Sequence, residues 1–466
     1  MSSLLICLAS LGFLMFVAYR GFSVILFAPV AALAAVLLTE PAMVAPAYSG
    51  LFMDKMVGLL KLYFPVFMLG AVFGKLIEVS GFARSIVNAI SKVFGSSYSI
   101  TCIVCVGGVL TYGGVSLFVV VFALYPFAAE LFRRNNIPKR LIPATIALGA
   151  FTFTMDSLPG TPQIQNIIPT AFFGTDAYAA PWLGIIGAIF VAGCGITYLE
   201  MRRRSLMAKG EGYGSGHYNE PEAPSHEDII NPWLAILPLI IVGVCNKLLL
   251  DLILSHYGAG NQVLVSFRPD FTAVAQDVTK MAAVWAVEGA LALGIAATLI
   301  LGWGRIRGKF TNSTQIAVSG ALLAGVNTAS EYGFGAVIAA LPGFKMVADT
   351  LSHIENPLIN LAVSVNVLAG ITGSSSGGLS LTLGALGDHF VALAHQYSIP
   401  AEVMHRVASI AAGGMDTLPH NGAIITLMAV TGLTHRQAYG DIFILTIFKT
   451  MAAFVVIAVF YLTGLV

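Results

Sequence analysis

The chain has 466 residues, of which 57% are hydrophobic and 10% charged, with a formal net charge of +1. A soluble domain carries about 25% charged residues, so a water-soluble globular protein is excluded and the composition reads as a polytopic membrane protein. No basic stripe exists to hold a phosphate backbone, which excludes nucleic acid as a partner.

Residues 3–19 and 22–39 read as two helices turning at Arg20-Gly21. No basic residue precedes the first, so it reads as a transmembrane helix with its start outside, not as a cleavable signal. A Pro/Gly/Ala-rich loop follows near 40–50, then a third helix over 59–79, and 82–95 has the alternation of an amphipathic helix at the membrane surface. Residues 99–132 are apolar but interrupted by Thr111-Tyr112-Gly113-Gly114-Val115-Ser116. Each arm is short against the roughly 20 residues a full span needs, which predicts a re-entrant helical hairpin. Backbone that is not helical at membrane depth is tolerated only where it faces protein or a water-filled cavity. After the basic loop 133–140, residues 141–173 read as a helix broken at Met155-Asp156-Ser157-Leu158-Pro159-Gly160-Thr161-Pro162-Gln163-Ile164-Gln165-Asn166, and 181–200 as a further span. Residues 202–231 are polar and rich in Gly, Ser and Pro, the composition of a flexible cytoplasmic linker.

The second half repeats this plan. Spans are predicted over 233–254, 280–302 and 313–341, with a loop over 256–280 and a surface helix over 343–354. A second interrupted stretch, 357–393, breaks at Thr372-Gly373-Ser374-Ser375-Ser376-Gly377-Gly378-Leu379-Ser380. A second broken helix, 400–431, carries Met415-Asp416-Thr417-Leu418-Pro419-His420-Asn421-Gly422, and 441–464 is the last span. Gly81-Phe82 matches Gly343-Phe344, Gly113-Gly114 matches Gly377-Gly378, Ile137-Pro138 matches Ile399-Pro400, and Asp156 matches Asp416. The order is the same throughout, so an internal duplication is predicted. Each half makes an odd number of crossings, and the basic loops then fall on one side, so the halves are inverted with both termini outside the cytoplasm. The fold class is all-α, with two inverted-topology repeats, each holding a re-entrant hairpin and a broken transmembrane helix. The boundaries are 1–201, the linker 202–231 and 232–466. Scaffold helices are assigned to about 3–79, 181–200, 233–341 and 441–464, and transport elements to about 97–174 and 357–434.

Polar breaks at matching places in two apolar halves are the sequence mark of a transporter site. A charged carboxylate at mid-membrane is expensive, so Asp156 and Asp416 need a role: carrying a proton, holding a cation, or capping the half-helix that restarts after each proline. A half-helix start offers free N–H groups and a positive dipole end, so an organic anion can bind there without Lys or Arg, which fits the scarcity of basic residues inside the spans. Substrate-binding candidates are Gly113, Gly114 and Ser116 at the first tip, Ser157, Gly160, Thr161, Gln163, Gln165 and Asn166 in the first break, Ser374, Ser375, Ser376 and Gly377 at the second tip, and Thr417, His420 and Asn421 in the second break. Proton-coupling candidates are Asp156, Asp416, Glu331 and His420; Glu331 lies within Asn327-Thr328-Ala329-Ser330-Glu331-Tyr332-Gly333, and packing is the plain alternative for it and for the single Gly and Ser positions. The five cysteines all lie in apolar segments and read as packing residues, so no metal or cofactor is expected. Gly373-Ser374-Ser375-Ser376-Gly377 fits a hydrolase nucleophile pattern by letter but lacks the strand-turn-helix setting it requires. An aspartyl dyad from Asp156 and Asp416 is the remaining enzyme reading, and transport explains the matched breaks better.

The motifs Tyr112-Gly113-Gly114-Val115-Ser116-Leu117-Phe118, Met155-Asp156-Ser157-Leu158-Pro159, Asn327-Thr328-Ala329-Ser330-Glu331-Tyr332-Gly333 and Met415-Asp416-Thr417-Leu418-Pro419-His420-Asn421-Gly422 resemble those of the gluconate permease family, within the wider ion transporter superfamily. The likeness spans nearly the whole chain outside the linker. It implies uptake across the bacterial inner membrane of a sugar acid or small hydroxy acid with protons, sodium being the alternative coupling ion. It further implies a homodimer in the lipid bilayer and a moving transport domain of the elevator kind. Thr161-Pro162-Gln163-Ile164-Gln165-Asn166 is similar to the branch labelled for hydroxybutyrate.

Overall fold

The computed structural model describes residues 2–20, 22–94, 98–115, 117–217, 220, 230–258, 261–265, 274–344, 354–419 and 421–466. Ser116, His420 and residues 345–353 of the expected surface helix lie outside them. The described chain is helical almost throughout. Helices α1 (Ser2–Tyr19) and α2 (Val24–Thr39) lead through short turns, including α3 (Val44–Pro46), into α4 (Met53–Val79) and α5 (Phe82–Phe94). The loop expected near 40–50 is therefore helical, as 3₁₀, α and wider π-type turns in succession. Helices α6 (Ser99–Tyr112) and α7 (Leu117–Arg134) flank the first tip; α8 (Ile142–Ala150), the single turn α9 (Phe153–Asp156) and α10 (Ile164–Phe173) form the first broken helix; α11 (Pro181–Ala208) closes the half. The second half runs α12 (Pro232–Tyr257), α13 (Val278–Ile306), α14 (Phe310–Ala340), α15 (Pro357–Thr372), α16 (Ser375–Gln396), α17 (Ala401–Ala412), a 3₁₀ turn Met415–Thr417, α18 (Gly422–Thr431) and α19 (His435–Thr463).

Among the described residues, six helical stretches are long and apolar enough to cross a bilayer, among them Pro181–Ala208, Pro232–Tyr257 and His435–Thr463. Their lipid-side faces carry exposed Trp182, Ile189, Leu248, Leu252, Ile300 and Leu462, which water would not tolerate in such number. The loop read over 256–280 contains a small antiparallel hairpin, β1 (Gln262–Val265) with β2 (Val274–Asp277), in register Gln262 to Asp277. Two four-residue strands give too short a period to stand out from a loop in sequence.

The helices fall into two packed groups. Helices α14, α4, α13 and α12 pack in succession, and α14 also packs on α16. The interrupted and broken elements pack together in a second group, α6 with α8, α15 with α16 and α17, and α10 with α16 and α17. Helices α11 and α19, grouped with the scaffold by sequence, pack on each other and on α8, α9 and α17. Glycines explain α11's place: a Cβ at Gly184 would overlap the Ser157 carbonyl, and one at Gly187 would lie 3.0 Å from Ile410 Cδ1. The described part of the linker is docked, not free. Glu220 accepts from Lys139 at 2.6 Å and Arg133 at 2.5 Å, and the Tyr213 N–H donates to Asn136 Oδ1 at 3.0 Å. Partial burial would raise the Glu220 carboxyl, but hydrogen bonds from Lys139, Arg133 and Tyr213 outweigh it and hold the group below its ordinary range.

The glycines of the two tips do not occupy the places that the letter match pairs. Gly113 ends α6 and Gly373, in the left-handed region at φ 67°, ends α15, so these two occupy equivalent places. Gly377 and Gly378 lie instead within the first turn of α16, where a Cβ would overlap the Glu331 carboxylate and the Ala369 backbone respectively. The two glycine pairs match by letter because both allow close approach, at different points of the turn.

Candidate functional site

The second break is built by three residue choices. Gly413 and Gly414 end α17 where side chains would strike Asp156 Oδ2 and Asn366 Oδ1. Pro419 lacks the N–H that a continuing helix needs. Asn421 restarts it, its Oδ1 accepting from the Ala423 N–H at 2.6 Å and the Ile424 N–H at 3.2 Å. The same side chain donates through Nδ2 to the Gly373 carbonyl at 2.7 Å and so fastens the second tip. Between these points Asp416 is buried and receives the Lys449 ammonium at 2.5 Å, while Thr417 shares a 2.7 Å hydrogen bond with Thr446.

The first break has the same outline and different fastenings. Gln163 precedes α10 and donates through Nε2 to the Thr111 carbonyl at 2.7 Å and the Val115 carbonyl at 3.3 Å, fastening the first tip as Asn421 fastens the second. Gly160, at φ 79°, turns the chain so that its N–H donates to Ala177 O at 2.8 Å. Asn166 accepts from Arg406 Nη1 at 2.9 Å and His405 Nε2 at 3.3 Å and donates to the carbonyls of Thr161 and Ala177. Arg406 is fully buried, and its remaining donors bond the Ala179 carbonyl at 2.9 and 2.7 Å. Asp156 is buried, accepts from the Ser157 hydroxyl at 2.7 Å, and through its carbonyl accepts from Ser409 at 2.7 Å. The residue at the start of α10 is Gln163 and at the start of α18 Asn421, so neither aspartate holds the capping position considered from sequence.

A cavity of about 1110 Å³ lies between α4 and α14 on one side and the breaks and second tip on the other. Gly114, Gln163, Gln165, Ser374, Ser375, Ser376, Asp416, Thr417, Asn421 and Glu331 line it. Gly113, Ser157, Gly160, Thr161, Asn166, Gly377 and Asp156 do not, and Ser116 and His420 lie outside the described residues. Gln165 donates to Ser375 Oγ at 2.7 Å, a polar contact that crosses from the first break to the second tip. Glu331 is buried at 3% exposure, and its Oε2 has no hydrogen-bond partner in the structure; the Gln165 Oε1 is likewise unpartnered. Unpaired acceptors in a buried cavity carry a desolvation penalty of about 1–3 kcal/mol each, which water, a proton or a ligand donor can relieve. Among the described residues, no group of three or more His, Cys, Asp or Glu could hold a metal ion.

Sequence reasoning missed three residues. The expectation that basic side chains are scarce inside the spans is corrected by Arg406 in α17 and Lys449 in α19, both buried, with His405 beside the first. Neither Arg406 nor Lys449 lines the cavity. The signal was present, since a cation inside a membrane segment is by default a functional or paired group. Lys449 stood alone in an apolar run 33 residues after its partner, and spacing of that length carries no periodicity to read.

A model of the family described as GntP family permease matches residues 4–266. The uncharacterized transporter YxjC of Bacillus subtilis (strain 168) is 54% identical over 474 aligned residues, spanning 99% of this chain and 100% of that one. Among solved structures, Neisseria gonorrhoeae MtrF, presented as illuminating a class of antimetabolite efflux pumps, is similar with a TM-score of 0.55 and 16% identity over 87% of this chain and 82% of that one. At that identity the likeness concerns the fold alone.

Proposed function

Because this chain is a multi-pass membrane transporter of the GntP permease family, we propose that it is a secondary active symporter that brings a small hydroxy-monocarboxylate or sugar acid, such as gluconate or hydroxybutyrate, across the bacterial inner membrane with protons. The observation that carries this reading is the cavity on which both breaks, the second tip and Glu331 converge. The start of α16 presents Ser374, Ser375 and Ser376 there, a positive dipole end beside hydroxyls, suited to a carboxylate. Gln163, Gln165 and Thr417 supply partners for substrate hydroxyls. Glu331, buried with an unpartnered oxygen, is the proton site we favour, with Asp416 lining the same cavity. Burial makes neutralising a carboxylate by protonation the cheapest way to move it through a low-dielectric environment.

Two features support inverted repeats and an elevator motion. The amides of Gln163 and Asn421 fasten the two tips by the same kind of bond, to Thr111 O and Gly373 O. The cavity lies at the seam between the α4/α12/α13/α14 group and the group holding the breaks, so sliding one against the other would carry the site across. The tips are then re-entrant, and the former group is the scaffold of a homodimer, as the superfamily resemblance implies. The test is uptake of labelled hydroxy acids into proteoliposomes of the purified protein. Accumulation driven by an inward proton gradient, with the substrate recovered unchanged, is expected. Uptake that follows sodium and ignores pH removes the coupling claim, and chemical alteration of the substrate removes the transport reading.

A further inference from the structure

Lys449 is 2% exposed, in the middle of the last helix. Its ammonium donates to Asp416 Oδ1 at 2.5 Å and to the Phe151 carbonyl at 2.8 Å. The Asp156 carboxylate stands close by, across Gly413: a Cβ on that glycine would overlap Asp156 Oδ2 and come within 3.3 Å of Lys449 Cε. The neighbouring Gly414 is pressed against Asn366 Oδ1, which is buried and has no hydrogen-bond partner. Carboxylates and a main-chain carbonyl are the oxygen donors that a hard cation takes together. Asp156 and Phe151 come from the first break and Asp416 from the second, so the cluster closes only when both halves are in place.

We propose that this cluster is a monovalent-cation site occupied by the protein's own Lys449 ammonium, and that the tethered cation makes the carrier independent of sodium. Two carboxylates buried this near each other repel and are poorly solvated unless a cation lies between them. A solution ion in that position would have to bind and leave in each cycle, and its gradient would then drive transport. A covalently attached ammonium permanently offsets one of the two carboxylate charges, so no ion has to be loaded there before the broken helices move. The reach and burial of Lys449 thus decide which ion does not couple, and the coupling proton is left to Glu331. This last consequence rests on the symport reading; the occupancy of the cluster does not.

The experiment is thermal unfolding of the detergent-purified protein in sodium chloride against choline chloride at equal ionic strength. Wild type is expected to show no sodium-specific shift. Lys449→Ala and Lys449→Ser, which keep both carboxylates and free the ammonium's space, are expected to gain a saturable rise in midpoint of about 2 °C or more in sodium, by linkage of binding to folding. Adding Asp416→Asn to either variant is expected to abolish the gain. A sodium-specific shift in wild type overturns the proposal, and so do monodisperse single variants with no shift. If the variants do not fold in choline, recovery of folded protein when sodium is present during purification supports the proposal, and failure in both salts overturns it. These readouts use no substrate, so they stand or fall separately from hydroxy-acid uptake.

Discussion

The two polar breaks begin from nearly the same letters, Met-Asp-Ser-Leu-Pro and Met-Asp-Thr-Leu-Pro, and take different places in the molecule. In the second, Asp416, Thr417 and Asn421 face the cavity. In the first, Asp156 and Asn166 are turned into protein, Asn166 locked by Arg406 and His405, and the polar side chains that line the cavity are those of Gln163 and Gln165. The difference lies in what packs behind each break. Arg406 and His405 come from α17 and fill the space behind the first, whereas the second backs onto α19, which supplies Lys449. Two motifs of nearly the same letters can therefore keep a shared backbone task, fastening a tip, while their side chains divide between support and site.

The largest expected effect tests the support role of the first break. Arg406→Ala removes both guanidinium donors to the Ala179 carbonyl and leaves Asn166 Oδ1 with His405 alone, a loss of about 3–5 kcal/mol, enough to prevent recovery of folded protein. Size-exclusion profiles and membrane yield measure it. Normal yield of this variant breaks the comparison.

Asp416→Asn comes next, since it strands the Lys449 charge, and a midpoint drop corresponding to about 3 kcal/mol is expected. Adding Lys449→Met removes the stranded charge and should restore much of the midpoint while uptake stays abolished. A single variant as stable as wild type would mean that the ion pair adds nothing to the fold.

Glu331→Gln separates site from support. It keeps the shape of a side chain that no ion pair holds, so the midpoint should change by less than about 1 kcal/mol. Gradient-driven accumulation should fall at least about tenfold, a barrier change of about 1.4 kcal/mol, while exchange of substrate across the membrane persists. Unchanged accumulation removes Glu331 as the proton site.

The smallest effect lies away from both breaks. Glu220 is held below its ordinary range by Lys139, Arg133 and Tyr213, so its contribution is present above the unfolded carboxylate value and disappears as pH falls through the depressed folded one. Glu220→Gln should lower the midpoint at neutral pH by about 1 kcal/mol or less, since the group is partly solvated, and the gap from wild type should close in acid. A gap that does not change with pH would show that the linker is docked by packing.

Much of the architecture is legible in the amino-acid sequence. The apolar runs, the Gly and Pro interruptions and the basic loops are local, and each marks one element directly. The residues of the cavity are partly legible for the same reason: a polar residue in an apolar run needs a purpose, and Gln163, Gln165, Ser375, Asp416 and Glu331 all stand out by contrast. What contrast alone does not sort is direction. Asn166 and Gln165 are neighbours in the same motif, yet a helix turn sends one to Arg406 and the other to Ser375.

The sequence by itself determined that this is a helical membrane transporter with many apolar helices, because the bilayer imposes its length and polarity rules on every segment separately. Only the tertiary structure decided which aspartate faces the cavity, that Lys449 and Arg406 are the buried cations behind the breaks, and that α11 and α19 pack with the broken helices. Those outcomes depend on contacts between residues up to 298 positions apart, as from Lys449 to Phe151. Pairings of that kind follow from how the helices pack around one another, which no single segment encodes.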